Sequence, residues 1–301
     1  MEIVNDLSLL HGKKINSLSL GNFDGLHIGH QEIIKKLNKI PPSLIITFSP
    51  HPVEVIKNKK LKYILTESEK IKTLTHLGVN YLHIVNFDLK FSKMKAKEFV
   101  EWVFKWITPK TIVIGYNHRF GYKGEGDYEV LVHLGKIYKF KVIRIPPVYV
   151  EGFPTSSSLI RSMIVKGNFS WVTKSLGSLY SLKAKVIKGE GRGKNLCYPT
   201  ANLKIIGEKI IPQNGVYAVW VRVGLKRFAG MLHIGKKLTF NRTFSIEVHL
   251  INEEINLVNK IITVEFVKYI RKTCAFPSKK ELKTQLDKDK VKVLSILKDE
   301  T

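Results

Sequence analysis

From residue 1 to about 150 the chain alternates short β-rich apolar runs with amphipathic stretches of helical period, a rhythm satisfied by a parallel sheet covered with helices. The spacing predicts strands at 17–20, 44–48, 82–87, 111–114 and 141–145, with helices at 28–38, 67–77, 95–106 and 127–136. The second helix opens on the capping-box sequence Thr66-Glu67-Ser68-Glu69 and stops at Gly78. In an open parallel sheet, ligands bind along the rim formed by the carboxyl ends of the strands. The unusual polar strings of this half, at 21–30, 49–52, 86–88, 115–121 and 146–161, each follow one of those strands. They therefore converge, and the rim is the expected active site.

The densest string is Gly21-Asn22-Phe23-Asp24-Gly25-Leu26-His27-Ile28-Gly29-His30, between the first strand and a helix expected from Ile28. A helix start offers unpaired N–H groups and the positive end of a dipole, and glycines let a phosphate approach the main chain. His27 and His30, spaced i, i+3, share one helical face and can contact a single phosphate as its charge grows in a transition state. For either histidine alone, a surface turn is the plain alternative. It does not account for the whole string, because so many poor helix formers in close order cost stability and need a reason.

After a helical stretch at 157–176 the pattern changes to strands with little helix, at 182–188, 215–223, 227–234, 243–251 and 261–269. An antiparallel barrel or sandwich is the natural architecture. Ile246, Val248 and Leu250 alternate with Glu247 and His249, giving one apolar and one polar face. A final helix starts at Ser278-Lys279-Lys280-Glu281 and carries Leu282 and Leu286 at core spacing. A length of 301 residues with 44% hydrophobic content suits two domains, read as 1–180 and 181–301.

The apolar runs are too short to cross a bilayer and Met1 to Lys14 lacks a basic segment followed by an apolar one, so a cytoplasmic location without a membrane partner is expected. Cys197 and Cys274 form no disulfide framework or zinc cluster and are expected as small packing residues. The net charge of +25 admits nucleic acid or small polyanions as partners. The lysines are scattered, without an arginine-rich tail or RNA-binding signature, which argues against a dedicated nucleic-acid site.

The string ending at Gln31 resembles the HxGH signature of the nucleotidylyltransferases, and its extended form, Phe-Asp-Gly-x-His-x-Gly-His-Gln, resembles the N-terminal module of the bacterial bifunctional riboflavin kinases/FAD synthetases. Gly115-Tyr116-Asn117-His118-Arg119-Phe120-Gly121 resembles a second stretch of that module, with His118 where relatives usually carry Phe. Arg119 reads equally as a phosphate contact or as part of a capped surface turn. Ser156-Ser157-Ser158-Leu159-Ile160-Arg161 is similar to the serine-rich stretch that this superfamily uses on the triphosphate, and His51 also matches the family, although Pro50 and Pro52 around it suggest a rigid loop in which it is structural. In the second half, Gly189-Glu190-Gly191-Arg192-Gly193-Lys194 followed by Pro199-Thr200-Ala201-Asn202 resembles the flavokinase signature, and the similarity runs on through Glu247 and Tyr269-Ile270-Arg271.

The resemblance implies an α/β fold: a Rossmann-like parallel-sheet nucleotidylyltransferase domain, then an antiparallel flavokinase-like β-barrel with a C-terminal helix. It implies an enzyme that phosphorylates riboflavin to FMN with ATP and Mg²⁺, then adenylylates FMN to FAD with release of pyrophosphate. His27, His30, Arg161 and Glu247 are the expected catalytic residues, with Glu247 the general base of the kinase step. Gly21, Phe23, Asp24, Gly25, Gly29, Asn117, Ser157 and Ser158 would bind nucleotide in the first domain, and Gly189, Gly191, Gly193 and Lys194 in the second. Thr200 and Asn202 would hold the metal, and Arg271 the flavin. The departures, at Cys197, His233, Leu238 and Val258-Asn259, lie in the kinase half and leave one rival, an adenylyltransferase with a weakened kinase; the net charge of +25 leaves another, a basic nucleic-acid-binding protein on a retained fold.

Overall fold

The computed structural model describes residues 1–188, 198–236, 244–253 and 255–298. The chain divides into two compact units, Met1–Ser157 and Ser158–Thr301.

The first unit holds β1 (Glu2–Val4), β2 (Ser17–Leu20), α1 (Ile28–Leu37), β3 (Ser43–Ser49), α2 (Pro52–Lys57), α3 (Glu67–His76), β4 (Tyr81–Asn86), α4 (Ala96–Phe104), β5 (Thr111–Gly115), α5 (Tyr128–Tyr138) and β6 (Lys141–Ile145), then a small hairpin, β7 (Tyr149–Val150) with β8 (Phe153–Pro154). Six strands form one parallel sheet in the order β1-β4-β3-β2-β5-β6. From β2 the chain builds outward through β3 and β4, then crosses back to place β5 on the other side of β2. The strand order reverses between β2 and β5, which is where such sheets open a crevice for ligands.

Alternation along the strands separates the two covered faces. Leu18, Leu20, Ile112 and Ile114 join one core with Phe99 and Val103 of α4, and Ile45, Leu82 and Val113 join the other with Ile33, Ile34 and Leu37 of α1. Ser17 and Ser19 are buried, and their hydroxyls donate to the Leu37 and Val113 carbonyls at 3.1 and 2.7 Å. The capping box of α3 forms as expected: the Thr66 hydroxyl accepts from the Glu69 amide and the Glu69 carboxylate from the Thr66 amide. The sequence reading did not contain the β7–β8 hairpin, and it differs at two further places. β1 is a sixth, edge strand beside β4, and the loop expected around His51 is α2, capped by the His51 Nδ1 accepting from the Val53 amide at 3.2 Å.

In the second unit the linking stretch is two helices, α6 (Ser157–Val165, whose first residue still counts with the first unit) and α7 (Phe169–Leu176), separated at Gly167, whose φ is +74°. Strands β9 (Ser181–Ile187), β10 (Ala201–Ile205), β11 (Gly215–Val223), β12 (Lys226–Lys236), β13 (Phe244–Leu250) and β14 (Ile261–Arg271) follow, and then α8 (Lys279–Lys298). The six strands close an antiparallel barrel in the order β10-β13-β12-β11-β14-β9. Closure decides for a barrel over a sandwich, and the missed strand β10 is the stave that completes it. Phe169 of α7 stacks on Phe266 with ring centroids 4.7 Å apart. On α8 the deeply buried residues are Asp289, Val293 and Leu297, so the apolar contact lies further along than Leu282 and Leu286 suggested.

Candidate functional site

The string after β2 is held from beneath. Phe23 and Leu26 take left-handed backbone angles, φ 48° and 42°, which L side chains adopt only when their surroundings compel it. Both side chains are buried in the core under α1, and that burial holds the strained turns. At Gly25, φ is +84° and an added Cβ would lie 3.0 Å from Ile64, so glycine is required. The buried Asp24 carboxylate accepts from the Ile64 amide at 3.2 Å and the Leu65 amide at 3.5 Å, tying the loop to the segment before α3. Ser157, at the end of this unit, donates its hydroxyl to the Asp24 carbonyl at 2.8 Å, so its proton is committed to the loop in this arrangement.

His27 is the N-cap of α1, with its Nδ1 accepting from the His30 amide at 3.4 Å. That bond leaves the proton of the neutral ring on Nε2, as a donor. The two imidazoles stack with centroids 3.7 Å apart and planes inclined by 20°. Burial pushes the His27 pKa down to about 4, and it holds His30 well below its ordinary value, with His27 and Lys70 adding to the effect. The pair is therefore neutral near pH 7 and offers N–H donors without full charge. His30 Nδ1 and Asn22 Oδ1 are sealed from solvent with no partner among the described residues. Buried polar atoms left that way are costly unless a ligand completes them. Gly29 closes the arrangement: an added Cβ would lie 3.2 Å from the His27 ring and 3.3 Å from Thr155 Oγ1.

Lys70 belongs to this site and was missed by sequence reasoning. Its Nζ donates to the Asn22 carbonyl at 2.8 Å and to Thr47 Oγ1 at 3.4 Å. The available signal was its place in an apolar helical stripe, one turn before the buried Leu74.

Across the switch point, Asn117 is exposed just beyond β5. His118 lies along Phe120, 5.8 Å between centroids, with burial lowering its pKa to about 4. Arg119 is engaged at 3.1 Å by Asp127, the N-cap of α5, which favours the capped-turn reading. Ser158 and Arg161 lie on α6 and fall in the second unit.

In the second unit the Thr200 hydroxyl donates to Glu247 Oε2 at 3.3 Å, and the register of β10 and β13 sets Asn202 opposite Glu247. His233 of β12 is opposite Glu247 on the other side. Hydroxyl, amide and carboxylate oxygens are hard donors of the kind Mg²⁺ takes. The Tyr198 hydroxyl donates to Asp287 Oδ1 of α8 at 2.6 Å, anchoring the chain that leads into Thr200. Arg271 forms a bidentate pair with the buried Asp289, Nε to Oδ2 at 2.9 Å and NH2 to Oδ2 at 2.7 Å, with Nε to Oδ1 at 3.1 Å. Cys274, expected as a packing residue, is exposed. Gly189, Gly191, Gly193, Lys194, Cys197 and Leu238 lie outside the described residues.

Two family models match the chain, one described as FAD synthetase over residues 11–159 and one as riboflavin kinase over 176–297. The chain is 36% identical to a bifunctional riboflavin kinase/FMN adenylyltransferase of Buchnera aphidicola, over 92% of this chain and 93% of that one. It is 31% identical to proteins of the same name from Listeria monocytogenes, over 90% and 89% of the two chains, and from Escherichia coli K12, over 91% and 90%. A solved structure from Streptococcus pneumoniae, named a macrolide-efflux protein, is similar with a TM-score of 0.85 and 29% identity over 96% of each chain. Among the described residues here, no helix is long and apolar enough to cross a membrane.

Proposed function

The chain belongs to the family of bifunctional riboflavin kinases/FMN adenylyltransferases, and on that premise we propose how its residues divide the work. It phosphorylates riboflavin to FMN with ATP and adenylylates FMN to FAD with release of pyrophosphate. Both family models match, so neither the kinase-deficient nor the nucleic-acid-binding reading is favoured. The functional boundary is proposed between residues 180 and 181, with α6 and α7 serving the adenylyltransferase half. A cytoplasmic location suits an enzyme that consumes ATP.

In the adenylyltransferase, a phosphate oxygen of FMN attacks the α-phosphorus of ATP. The bond from that phosphorus to the bridging oxygen breaks, and pyrophosphate leaves with the electron pair. No protein nucleophile is needed, and catalysis comes from positioning and charge stabilisation. His27, from Nε2, and His30, from its ring N–H, are assigned as donors to phosphate oxygens, beside the first-turn amides of α1. Gly21, Gly25 and Gly29 allow the close approach, Phe23 and Asp24 hold the loop, and Asn117, Ser157, Ser158 and Arg161 are assigned to the nucleotide.

In the kinase, Glu247 takes the proton of the riboflavin 5′-hydroxyl, whose oxygen attacks the γ-phosphorus while ADP leaves. Thr200 and Asn202, with hard oxygens next to Glu247, fit Mg²⁺, which when bound neutralises phosphate charge. Gly189, Gly191, Gly193 and Lys194 are assigned to the ATP phosphates. Arg271 is assigned to the flavin side, where its pairing with Asp289 fixes the guanidinium.

The observation that carries the adenylyltransferase assignment is the stacked, neutral imidazole pair at the start of α1. The test is chromatography of the products from purified protein given ATP and Mg²⁺ with riboflavin, and separately with FMN. His27→Ala is expected to yield FMN without FAD. FAD formation at the parent rate in that variant overturns the assignment.

A further inference from the structure

A buried ammonium is costly unless neighbouring carboxylates compensate it. Lys70 is half-buried on α3 and meets that rule only through the field of Asp24 and Glu67, without a carboxylate at ion-pair distance among the described residues. Its Nζ lies against the loop that carries the histidines, donating to the Asn22 carbonyl at 2.8 Å and Thr47 Oγ1 at 3.4 Å. Thr47 Oγ1 itself donates to the same carbonyl at 3.1 Å. Burial lowers the Lys70 pKa, while the charges of Asp24 and Glu67 oppose the shift. Yet Lys70 forms no ion pair among the described residues. An ammonium has three N–H donors and two are engaged here. The positive charge acts on His30 as well, so the cation, the two imidazoles and the unsatisfied Asn22 Oδ1 belong to one cluster.

We propose that Lys70 is a further binding residue of the adenylyltransferase site: its ammonium, held under the loop by Asn22 and Thr47, is a cationic contact for the nucleotide's phosphates beside the His27–His30 stack. The inference rests on the adenylyltransferase reading of the first unit. Two rings stacked 3.7 Å apart cannot both become cations without strong repulsion, and burial keeps each neutral near pH 7, so that pair offers hydrogen bonds without charge. Phosphate groups need positive charge fixed where their own charge develops, and Lys70 supplies it from a position already organised before the ligand arrives. The third N–H and the missing carboxylate partner both fit an anion completing the cluster.

Calorimetric titration of the full chain with inorganic pyrophosphate reads this contact without turnover. Lys70→Met is expected to weaken pyrophosphate binding about tenfold or more, with the gap from the parent narrowing as salt is raised. Riboflavin kinase activity and Tm of the same preparation should hold. Lys70→Gln, which keeps an N–H donor without charge, repeats the measurement should the Met variant melt early. Thr47→Val removes the hydroxyl shared with Asn22 but keeps the cation, and should change pyrophosphate affinity by less than about threefold. Parent-like affinity in both Lys70 variants overturns the proposal, as does a parent protein that takes up no pyrophosphate. An equal loss in Thr47→Val also overturns it, because Lys70 would then be only a scaffold for the loop. Failure of the parent to convert FMN to FAD strikes instead at the adenylyltransferase reading, which survives if only the Lys70 prediction fails.

Discussion

Thr200 Oγ1, just before β10, and Glu247 Oε2 of the neighbouring β13 lie 3.3 Å apart, so the proposed metal-side hydroxyl and the proposed base share one patch. Substitution of Glu247 by Gln keeps the shape and removes the proton acceptor. The riboflavin-to-FMN rate is expected to fall by about 10²-fold or more, the usual contribution of a general base. FMN-to-FAD conversion, carried by the other unit, should stay within about twofold of the parent, inside ordinary non-additivity. Parallel rate assays from riboflavin and from FMN check both halves.

The buried imidazoles predict how stability follows pH. His27 and His118 have native pKa values of about 4 against an ordinary 6.5, so between those values the unfolded chain binds protons that the native chain does not. Stability therefore rises with pH across that window and is lost as pH falls from 6.5 towards 4, by up to about 1.4 kcal/mol per pH unit for each imidazole. His118→Phe removes its contribution and leaves those of His27, His30 and His249, whose pKa values burial also lowers. Its Tm should decline less steeply than the parent's over the same window, and equal slopes would count against a buried neutral His118.

Arg271 and Asp289 form a pair in which the carboxylate is buried and the guanidinium closes over it, joining β14 to α8. Arg271→Met leaves that carboxylate without its cation and is expected to cost about 3 kcal/mol or more, as breaking a buried pair does. Adding Asp289→Leu should recover part of the loss, because an apolar pair leaves no stranded charge. Urea unfolding of the parent, both singles and the double variant measures the coupling, and additive effects would refute it.

What the sequence made legible follows the strength of its periodic signals. β2, β5, β6 and β11 were read within a residue of their observed bounds, since apolar runs between turn residues have few other readings. β1 is three residues long, too short for any period to show. β10 carries Asn202 and Lys204 on its open face, and it read as a polar motif instead of a stave. Pro50 and Pro52 resembled a rigid loop, although Pro52 starts α2 where a missing N–H is harmless. Lys70 stayed hidden for a different reason: a lysine on a helix reads as solvated, and only the fold shows it turned towards Asn22. The histidine pair was visible as spacing, but its stacking and neutrality follow from burial, which no local pattern encodes.

Gly29 tests whether the rim depends on the exact seat of the His27 ring. Its backbone angles suit any residue, and alanine is the better helix former by about 1 kcal/mol, so propensity alone predicts that Gly29→Ala stabilises α1. The added methyl would meet the His27 ring at 3.2 Å and Thr155 Oγ1 at 3.3 Å, and the hydroxyl is held by the Val148 carbonyl at 3.0 Å while the ring has only its 3.4 Å cap bond, so the ring gives way. Displacement by a few tenths of an ångström misaligns the Nε2 donor and loosens the stack on His30. FAD formation should therefore drop by about tenfold or more, as small misplacements in a positioned site do, with Tm unchanged or slightly raised. A crystal structure of the variant locates the ring, and parent-like FAD formation with the ring displaced would show that His27 does not have to be held where it is.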